Sequence, residues 1–160
     1  MKKPVQYRLG ELLKENGCTL SAAESCTGGY ISHLVTMVSG SSGYYLGSVT
    51  SYAIKIKEKV LGVPAATIDK HGVVSSEVAA AMAEGVRTLT GSTFAVSTTG
   101  LAEGGDEHYP EGTVWIGVSG PKGTETRLFH CDLGRKANIR RFARVALEIL
   151  EDYITKSTIN

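Results

Sequence analysis

The residue types that could do chemistry are concentrated in one short segment of the chain, Ala23-Glu24-Ser25-Cys26-Thr27-Gly28-Gly29-Tyr30. The segment lies between a predicted strand and a predicted helix. Its glycines allow a tight turn and a close approach of a ligand to the backbone. The first amides of the following helix lack intrahelical partners and can face an anion or an oxyanion. The Ser25 hydroxyl at this position is therefore either a helix N-cap or a nucleophile.

A serine nucleophile needs a base to take its proton. The chain offers four histidines, His33, His71, His108 and His130. None of them follows a predicted strand beside a carboxylate, and His108, in a polar loop, is the best placed. The alternative base is a lysine whose pKa is lowered by burial.

Lysines alternate in the segment Ile54-Lys55-Ile56-Lys57-Glu58-Lys59. By itself such a run is more typical of a solvated helix face than of a catalytic base. Cys26 is a rival nucleophile, because thiols at helix N-termini are activated. The residues alone leave both questions open.

The elements that would position these residues alternate along the chain, which favours a compact, layered α/β/α domain with a mixed sheet. The predicted helices cover 5–16, 30–38, 53–61, a segment capped by Ser75 and ending at Leu89, and 135–153. The predicted strands cover 18–22, 44–52 and 93–98, followed by a polar loop over 99–111 and a hairpin of 114–118 with 125–131. Ser25, Tyr52 and Thr99 follow successive strands. The carboxyl ends of parallel strands face one crevice, so we expect these three residues to lie together.

Composition places the chain among ordinary globular proteins. Its 160 residues carry a net charge of +1 and are 42% hydrophobic, which predicts one domain over 1–160 with a frayed tail over 155–160. We expect no strong affinity for nucleic acid, no membrane span and no signal peptide, hence a cytoplasmic protein. Three cysteines without a Cys-x-x-Cys pair predict neither a disulfide framework nor a metal site.

Several motifs in order resemble one known family. The segment 23–29 matches the hallmark of the CinA C-terminal domain family, which includes competence/damage-inducible CinA-like proteins and whose stand-alone members are nicotinamide-nucleotide amidases. Supporting motifs are Gly40-Ser41-Ser42, Val49-Thr50 with Tyr52, Leu61-Gly62-Val63, the segments 71–75 and 99–102, and Pro110-Glu111-Gly112-Thr113-Val114-Trp115. The resemblance covers residues 8–153 and implies a compact α/β fold.

The resemblance also implies a reaction, the hydrolysis of the carboxamide of nicotinamide mononucleotide to nicotinic acid mononucleotide and ammonia. The family's serine, tyrosine and lysine fall on Ser25, Tyr52 and Lys57, and the N–H groups near Cys26 and Thr27 are the oxyanion candidates. No cofactor or metal is implied. We expect the partner to be a small pyridine nucleotide and the protein to be a homo-oligomer.

Substrate binding would need further groups, including an anion site separate from the oxyanion site. The candidates are Glu24, Gly28, Gly29, Thr99, Gly100, Gly104, Gly105 and Arg140. Among them Thr99, the amides of Gly104 and Gly105, and Arg140 are candidates for binding a phosphate. Arg141 is the alternative to Arg140.

Two segments differ from the usual pattern of the family. Tyr52 is usually followed by Ser-Asn-Glu-Ala-Lys, and here Ile54 replaces the asparagine. The glycine loop is shorter and carries Glu103 and Asp106, whose charge disfavours a phosphate. Two alternatives therefore stay open, an amidase for a different small amide and a non-catalytic binding module.

Overall fold

The computed structural model describes residues 2–158, which form five strands, six α-helices and one short 3-10 turn. The strands are β1 (Leu20–Glu24), β2 (Tyr45–Thr50), β3 (Phe94–Leu101), β4 (Thr113–Gly120) and β5 (Gly123–His130). The helices are α1 (Val5–Glu15), α2 (Tyr30–Thr36), α3 (Ile54–Lys59), α4 (Ala65–His71), α5 (Ser76–Thr90) and α6 (Arg135–Thr158).

The sheet is mixed, with the strand order β2-β1-β3-β4-β5. Strand β1 pairs in parallel with both β2 and β3, whereas β3, β4 and β5 pair antiparallel. Strand β1 is buried along its whole length, as expected for a central parallel strand covered on both faces. The predicted hairpin of the fourth and fifth strands is confirmed.

Helices cover both faces of the sheet, which confirms the predicted α/β/α layering. On one face, helices α1, α2 and α6 pack on the sheet in a large core, to which they contribute Leu9, Leu34 and Phe142 among others. The other face carries a smaller core in which Met82 of α5 and Ile68 of α4 pack over the sheet. The sheet residues of this smaller core, Ala23, Ala95 and Val49, are small or β-branched.

The register of the parallel strands decides where the site lies. Glu24 at the end of β1 is level with Thr50 on one side and with Thr98 on the other. The next residues along the chain, Ser25 and Ser51, therefore emerge side by side at one edge of the sheet. The expected convergence of these strand ends is confirmed.

Strand β3 is longer than predicted. Thr99 and Gly100, assigned to a polar loop from their composition, extend the strand and pair with Trp115 and Val114 of β4. Glycine is required at the second position, since a Cβ there would lie 2.5 Å from the Thr113 carbonyl oxygen. Local composition carries no sign of this close approach.

Two helices also differ from the prediction. Helix α4 was not predicted, and it follows the proline that ends the preceding turn. Helix α6 does not fray after Tyr153 but continues to Thr158, since Ile154 is fully buried and Ser157 Oγ bonds the Tyr153 carbonyl. The last two residues of the expected tail, 159–160, lie outside the described residues. No helix within 2–158 has the length and apolar character that crossing a bilayer demands.

Candidate active site

The Ser25 turn is tied to both neighbouring strands. The Ser25 amide donates to the Thr98 carbonyl at 3.1 Å, and the Ser51 amide donates to the Glu24 carbonyl at 2.7 Å. The turn then closes through Gly28 and Gly29, whose φ angles of +59° and +102° lie in the region that favours glycine. Ser25 itself is 9% exposed, so its hydroxyl is held at a fixed position with one side open.

Glu24 fixes the same turn from inside the protein. Its carboxylate is fully buried and accepts hydrogen bonds from the Thr27 hydroxyl and the Ile31 amide at 2.7 and 2.8 Å. The other oxygen accepts from the amide and hydroxyl of Ser32 at 3.0 and 2.7 Å. The carboxylate therefore stabilises the start of α2. It was a candidate for substrate binding, but it does not line the cavity next to Ser25.

Lys57 on α3 reaches the Ser25 hydroxyl. Its Nζ donates to Ser25 Oγ at 2.8 Å and to the carbonyl oxygens of Ser51 and Tyr52 at 2.5 and 3.1 Å. The side chain is 1% exposed. No carboxylate is among these hydrogen-bond partners, so the amine is surrounded by neutral acceptors.

This environment changes the acidity of the amine. Burial lowers the pKa of Lys57 from 10.5 to about 8, because desolvation penalises the charged form. A neutral amine has two N–H groups, which suffice for the two carbonyl oxygens, and its lone pair then faces Ser25 Oγ. The geometry fits a base that takes a proton from Ser25.

The rival nucleophile Cys26 lies in a different environment. Burial raises the pKa of its thiol to about 12, and the side chain packs in the larger core. A thiol in this state is a poor nucleophile, because the thiolate is the reactive form. The structure thus separates two adjacent candidates, the serine facing Lys57 and the cysteine facing the core.

The amides of Cys26 and Thr27 remain available for an oxyanion. Within residues 2–158 neither of them donates to a carbonyl oxygen, although the amides of Ser25 and Gly28 on either side do. The Thr27 side chain is occupied, with its hydroxyl bonded to Glu24 and to Thr98. The contribution of Thr27 to an oxyanion site would therefore come from its backbone.

Ser25 and Lys57 lie at the base of a cavity of about 260 Å³. We call Ser25 and Lys57, together with the buried Glu24 that precedes Ser25 in the chain, the floor, and the exposed Tyr52, Ile54, Glu103 and Arg135 the mouth. Between floor and mouth the cavity is lined by Cys26, Val73, Val74, Thr99, Gly100, Leu101 and Ala102. Thr99 and Gly100 therefore lie where a substrate-binding role requires them, and Thr99 Oγ donates to the Val73 carbonyl at 2.8 Å.

Tyr52 contributes to the site differently from the expectation. Its carbonyl oxygen contacts Lys57, but its side chain is 63% exposed and its hydroxyl accepts a hydrogen bond from Arg135 at 3.4 Å. The hydroxyl thus contacts neither Ser25 nor Lys57 in this structure. The expected group of three side chains within hydrogen-bonding reach reduces here to two.

Four other candidates do not line the cavity. Gly28 and Gly29 form the turn, and Gly104 and Gly105 lie farther along the loop after β3. Gly105 instead packs against the Tyr109 carbonyl oxygen, and a Cβ added at this glycine would lie 3.0 Å from that oxygen. These glycines shape the backbone around the site without bordering it.

The basic residue at the mouth is Arg135, not Arg140. Arg135 begins α6, and a helix turns about 100° per residue, so Arg140 points about 140° away around the axis. Arg140, predicted as a candidate for the phosphate, does not line this cavity. The signal that could have identified Arg135 is its position directly at the helix start.

The histidines lie outside this cavity. His130 contacts the Glu111 carbonyl, while His71 lies 3.6 Å from the Glu77 carboxylate. A larger groove of about 670 Å³ lies between α4 and α5. Its lining mixes aliphatic residues with Thr67, His71, Glu77, Glu84 and Thr88. Since it holds no buried amine beside a hydroxyl, we take the smaller cavity as the candidate active site.

Comparisons with known proteins identify the family of this chain. The model of the family described as "CinA C-terminal domain" matches residues 2–154. The CinA-like protein of Salinibacter ruber is 49% identical over 142 residues, covering 88% of this chain and 34% of that protein. The CinA-like protein of Desulfosudis oleivorans is 46% identical over 151 residues, covering 91% and 36%. This chain thus spans about a third of the length of these curated relatives.

Solved structures extend the comparison to the fold. A CinA superfamily protein from Klebsiella pneumoniae superimposes with a TM-score of 0.92 at 28% identity, covering 95% of this chain and 96% of that one. The competence/damage-inducible protein CihA from Agrobacterium tumefaciens gives 0.88 at 32% identity, covering 92% of each. The similarity is thus near complete in length on both sides. This chain belongs to the CinA C-terminal domain family.

Proposed function

We propose that this protein is a serine amidohydrolase that converts nicotinamide mononucleotide to nicotinic acid mononucleotide and ammonia. The observation that carries the proposal is the 2.8 Å contact between Lys57 Nζ and Ser25 Oγ, made by a buried amine whose pKa is about 8. A hydroxyl and a base in this contact satisfy the geometric requirement for nucleophilic catalysis.

In the first half of the reaction, neutral Lys57 takes the proton of Ser25 while Oγ attacks the carboxamide carbon. The carbonyl oxygen becomes an oxyanion, for which the free amides of Cys26 and Thr27 are the donors at hand; a donor of this kind contributes about 3 kcal/mol to the transition state. The protonated amine of Lys57 then gives its proton to the leaving nitrogen. The C–N bond breaks, ammonia departs and an acyl ester on Ser25 remains.

In the second half, water attacks the ester carbon and Lys57 takes a proton from that water. The bond between Ser25 Oγ and the acyl carbon then breaks, and the proton returns to Oγ. The products are the carboxylic acid and the free hydroxyl. One base thus serves both halves, and the carbonyl oxygens of Ser51 and Tyr52 keep its nitrogen in place throughout.

The lining of the cavity supports a flat heteroaromatic amide that carries an anionic group. Val73, Val74 and Leu101 supply apolar walls for a ring, and Arg135 supplies a guanidinium at the mouth for a phosphate. Thr99 lies between walls and mouth. In this proposal Tyr52 positions Lys57 through its carbonyl and Arg135 through its hydroxyl.

The experiment is an assay of ammonia release from nicotinamide mononucleotide by the purified protein, by Ser25→Ala and by Cys26→Ser. We expect release by the first and last proteins and none above background by Ser25→Ala, with circular dichroism showing that all three are folded. Absence of Ser25-dependent release would refute the proposal for this nucleotide.

A second candidate, an amidase for another small amide, is favoured by one observation. Ile54 and Glu103 border the cavity where the family usually has polar and glycine residues. Ser25-dependent release of ammonia from a different aromatic amide, with none from the mononucleotide, would establish this candidate instead.

A further inference from the structure

Glu103 is the one carboxylate in the lining of the cavity described around Ser25. It follows the end of β3 by two residues, on the same wall as Thr99 and Gly100. Its side chain is exposed to solvent at the mouth. No step of the reaction described above uses this carboxylate.

The backbone that carries Glu103 is held rigidly. Asn138 of α6 is fully buried and donates from Nδ2 to the Ala102 carbonyl at 2.9 Å, while its Oδ1 accepts from the Leu133 amide at 2.9 Å. The Leu101 carbonyl also accepts from the Gly112 amide at 2.7 Å. The residue before Glu103 and the segment before Arg135 are therefore fixed to one another through a single side chain.

The charges around the cavity are few. Glu103 supplies a carboxylate and Arg135 a guanidinium at the mouth, and the Glu103 carboxylate acts on the Arg135 guanidinium through space. Lys57 on the floor is the third charge-bearing group and becomes neutral in the catalytically active form. The cavity thus presents a negative and a positive site at the mouth, with apolar walls below.

We propose that Glu103 determines specificity by favouring amides whose aromatic ring carries a positive charge. The inference rests on the proposed function and deepens it. A pyridinium ring is a cation with a neutral carboxamide, and with a phosphate attached it presents charges of opposite sign. The carboxylate of Glu103 complements the ring, and the guanidinium of Arg135 complements the anionic substituent.

Complementary charges at the rim of a site act on partner choice more than on total affinity. Glu103 therefore selects which amide enters.

The test uses two ligands that differ in ring charge, oxidised nicotinamide mononucleotide and its reduced dihydropyridine form. Both keep the amide, ribose and phosphate, but only the oxidised ring is a cation. Dissociation constants are measured by calorimetry in the Ser25→Ala background, so that no ligand is consumed. Glu103→Gln is compared there with Glu107→Gln, a matched change on the same loop at a side chain that is 85% exposed and does not line the cavity.

We expect Glu103→Gln to lower the preference for the oxidised over the reduced nucleotide, measured as the ratio of their dissociation constants, about two- to fivefold, the range of an exposed charge pair. The effect of the Glu103 charge on the phosphate is common to both ligands and cancels in this ratio. Glu107→Gln should leave the ratio unchanged. Equal effects of Glu103→Gln on both nucleotides, or no effect on either, would overturn the role of Glu103 while leaving the ammonia-release test of Ser25 untouched. Absence of Ser25-dependent ammonia release would instead remove the function on which the inference rests.

Discussion

The floor and the mouth of the cavity are built in opposite ways. On the floor, Glu24 and Lys57 are almost completely buried, and every polar atom described there has a hydrogen-bond partner. At the mouth, Tyr52 and Ile54 are 63% and 47% exposed, and Arg135 forms one long contact with a hydroxyl. The floor is therefore buried in the folded core, whereas the mouth lies at the solvent-exposed surface.

Under the proposed function, this difference separates the reaction from the choice of substrate. A change on the floor disturbs buried hydrogen bonds, each of which costs about 1–3 kcal/mol when one partner is lost. A change at the mouth alters groups that water already contacts, and such surface changes usually stay within about 0.5 kcal/mol of neutral. A protein with this arrangement can keep one reaction while its substrate range changes.

The largest expected effect comes from the base on the floor. Lys57→Met keeps the length and apolar stem of the side chain but removes the amine, so Ser25 loses its proton acceptor. We expect kcat/KM for Ser25-dependent amide hydrolysis to fall at least about 10³-fold, measured as ammonia release. A variant that retained a tenth of the activity would show that another group accepts the proton.

The pH dependence tests the same amine. Since the pKa of Lys57 is about 8, kcat/KM should rise about tenfold per pH unit below pH 8 and level off above it. An activity profile that is flat between pH 6 and 8 would contradict a lysine base with this pKa.

Stability should respond to the lowered pKa in a defined direction. Between pH 8 and 10.5 the unfolded chain binds more protons at Lys57 than the folded chain does. The free energy of unfolding of the wild type, relative to Lys57→Met, should therefore be lowest below pH 8 and rise by about 3 kcal/mol through this window. Urea titrations of both proteins at pH 7 and pH 10.5 measure the difference.

A smaller effect is expected from Glu24→Gln on the floor. Four donors point at the two carboxylate oxygens, and a glutamine would place its own NH₂ group against two of them. We expect a loss of about 2 kcal/mol in the free energy of unfolding, measured in urea. Glu107→Gln, at an exposed side chain, is the control and should leave stability unchanged.

The smallest effect in activity is expected at the mouth. Tyr52→Phe removes the hydroxyl that contacts Arg135 and keeps the carbonyl that holds Lys57. KM should rise about two- to fivefold, with kcat nearly unchanged, since an exposed polar contact contributes less than about 1 kcal/mol. A fall in kcat as large as that of Lys57→Met would place the tyrosine hydroxyl in the reaction itself and end the distinction between floor and mouth.

Much of the fold could be predicted from the sequence, because its signals are local. The alternation of apolar segments and the glycine turn at Gly28-Gly29 identify the layers and the first strand-to-helix connection. The extension of β3 over Gly100 could not be predicted in this way. It depends on the close approach of β4, whose Val114 pairs with Gly100 although it lies 14 residues farther along the chain.

The site shows the same division. A serine at a strand-to-helix turn is visible in the sequence, and the resemblance to a family singled out Lys57. The residues alone left Lys57 equivalent to Lys55 and Lys59, since the burial of an amine depends on how its helix docks. The position of Arg135 at the mouth likewise depends on the start of α6 and on Asn138, which no local pattern indicates.

The position of β2 at the edge of the sheet has a consequence for how the protein loses activity. Lys57 reaches Ser25 only while β2 is docked on β1, and α3 that carries it is a six-residue helix. The large core between α1, α2, α6 and the sheet does not depend on that strand in the same way. Elements at an edge open at a lower free energy than the core. Local opening of this edge would therefore detach the base from the nucleophile in a molecule that is otherwise still folded.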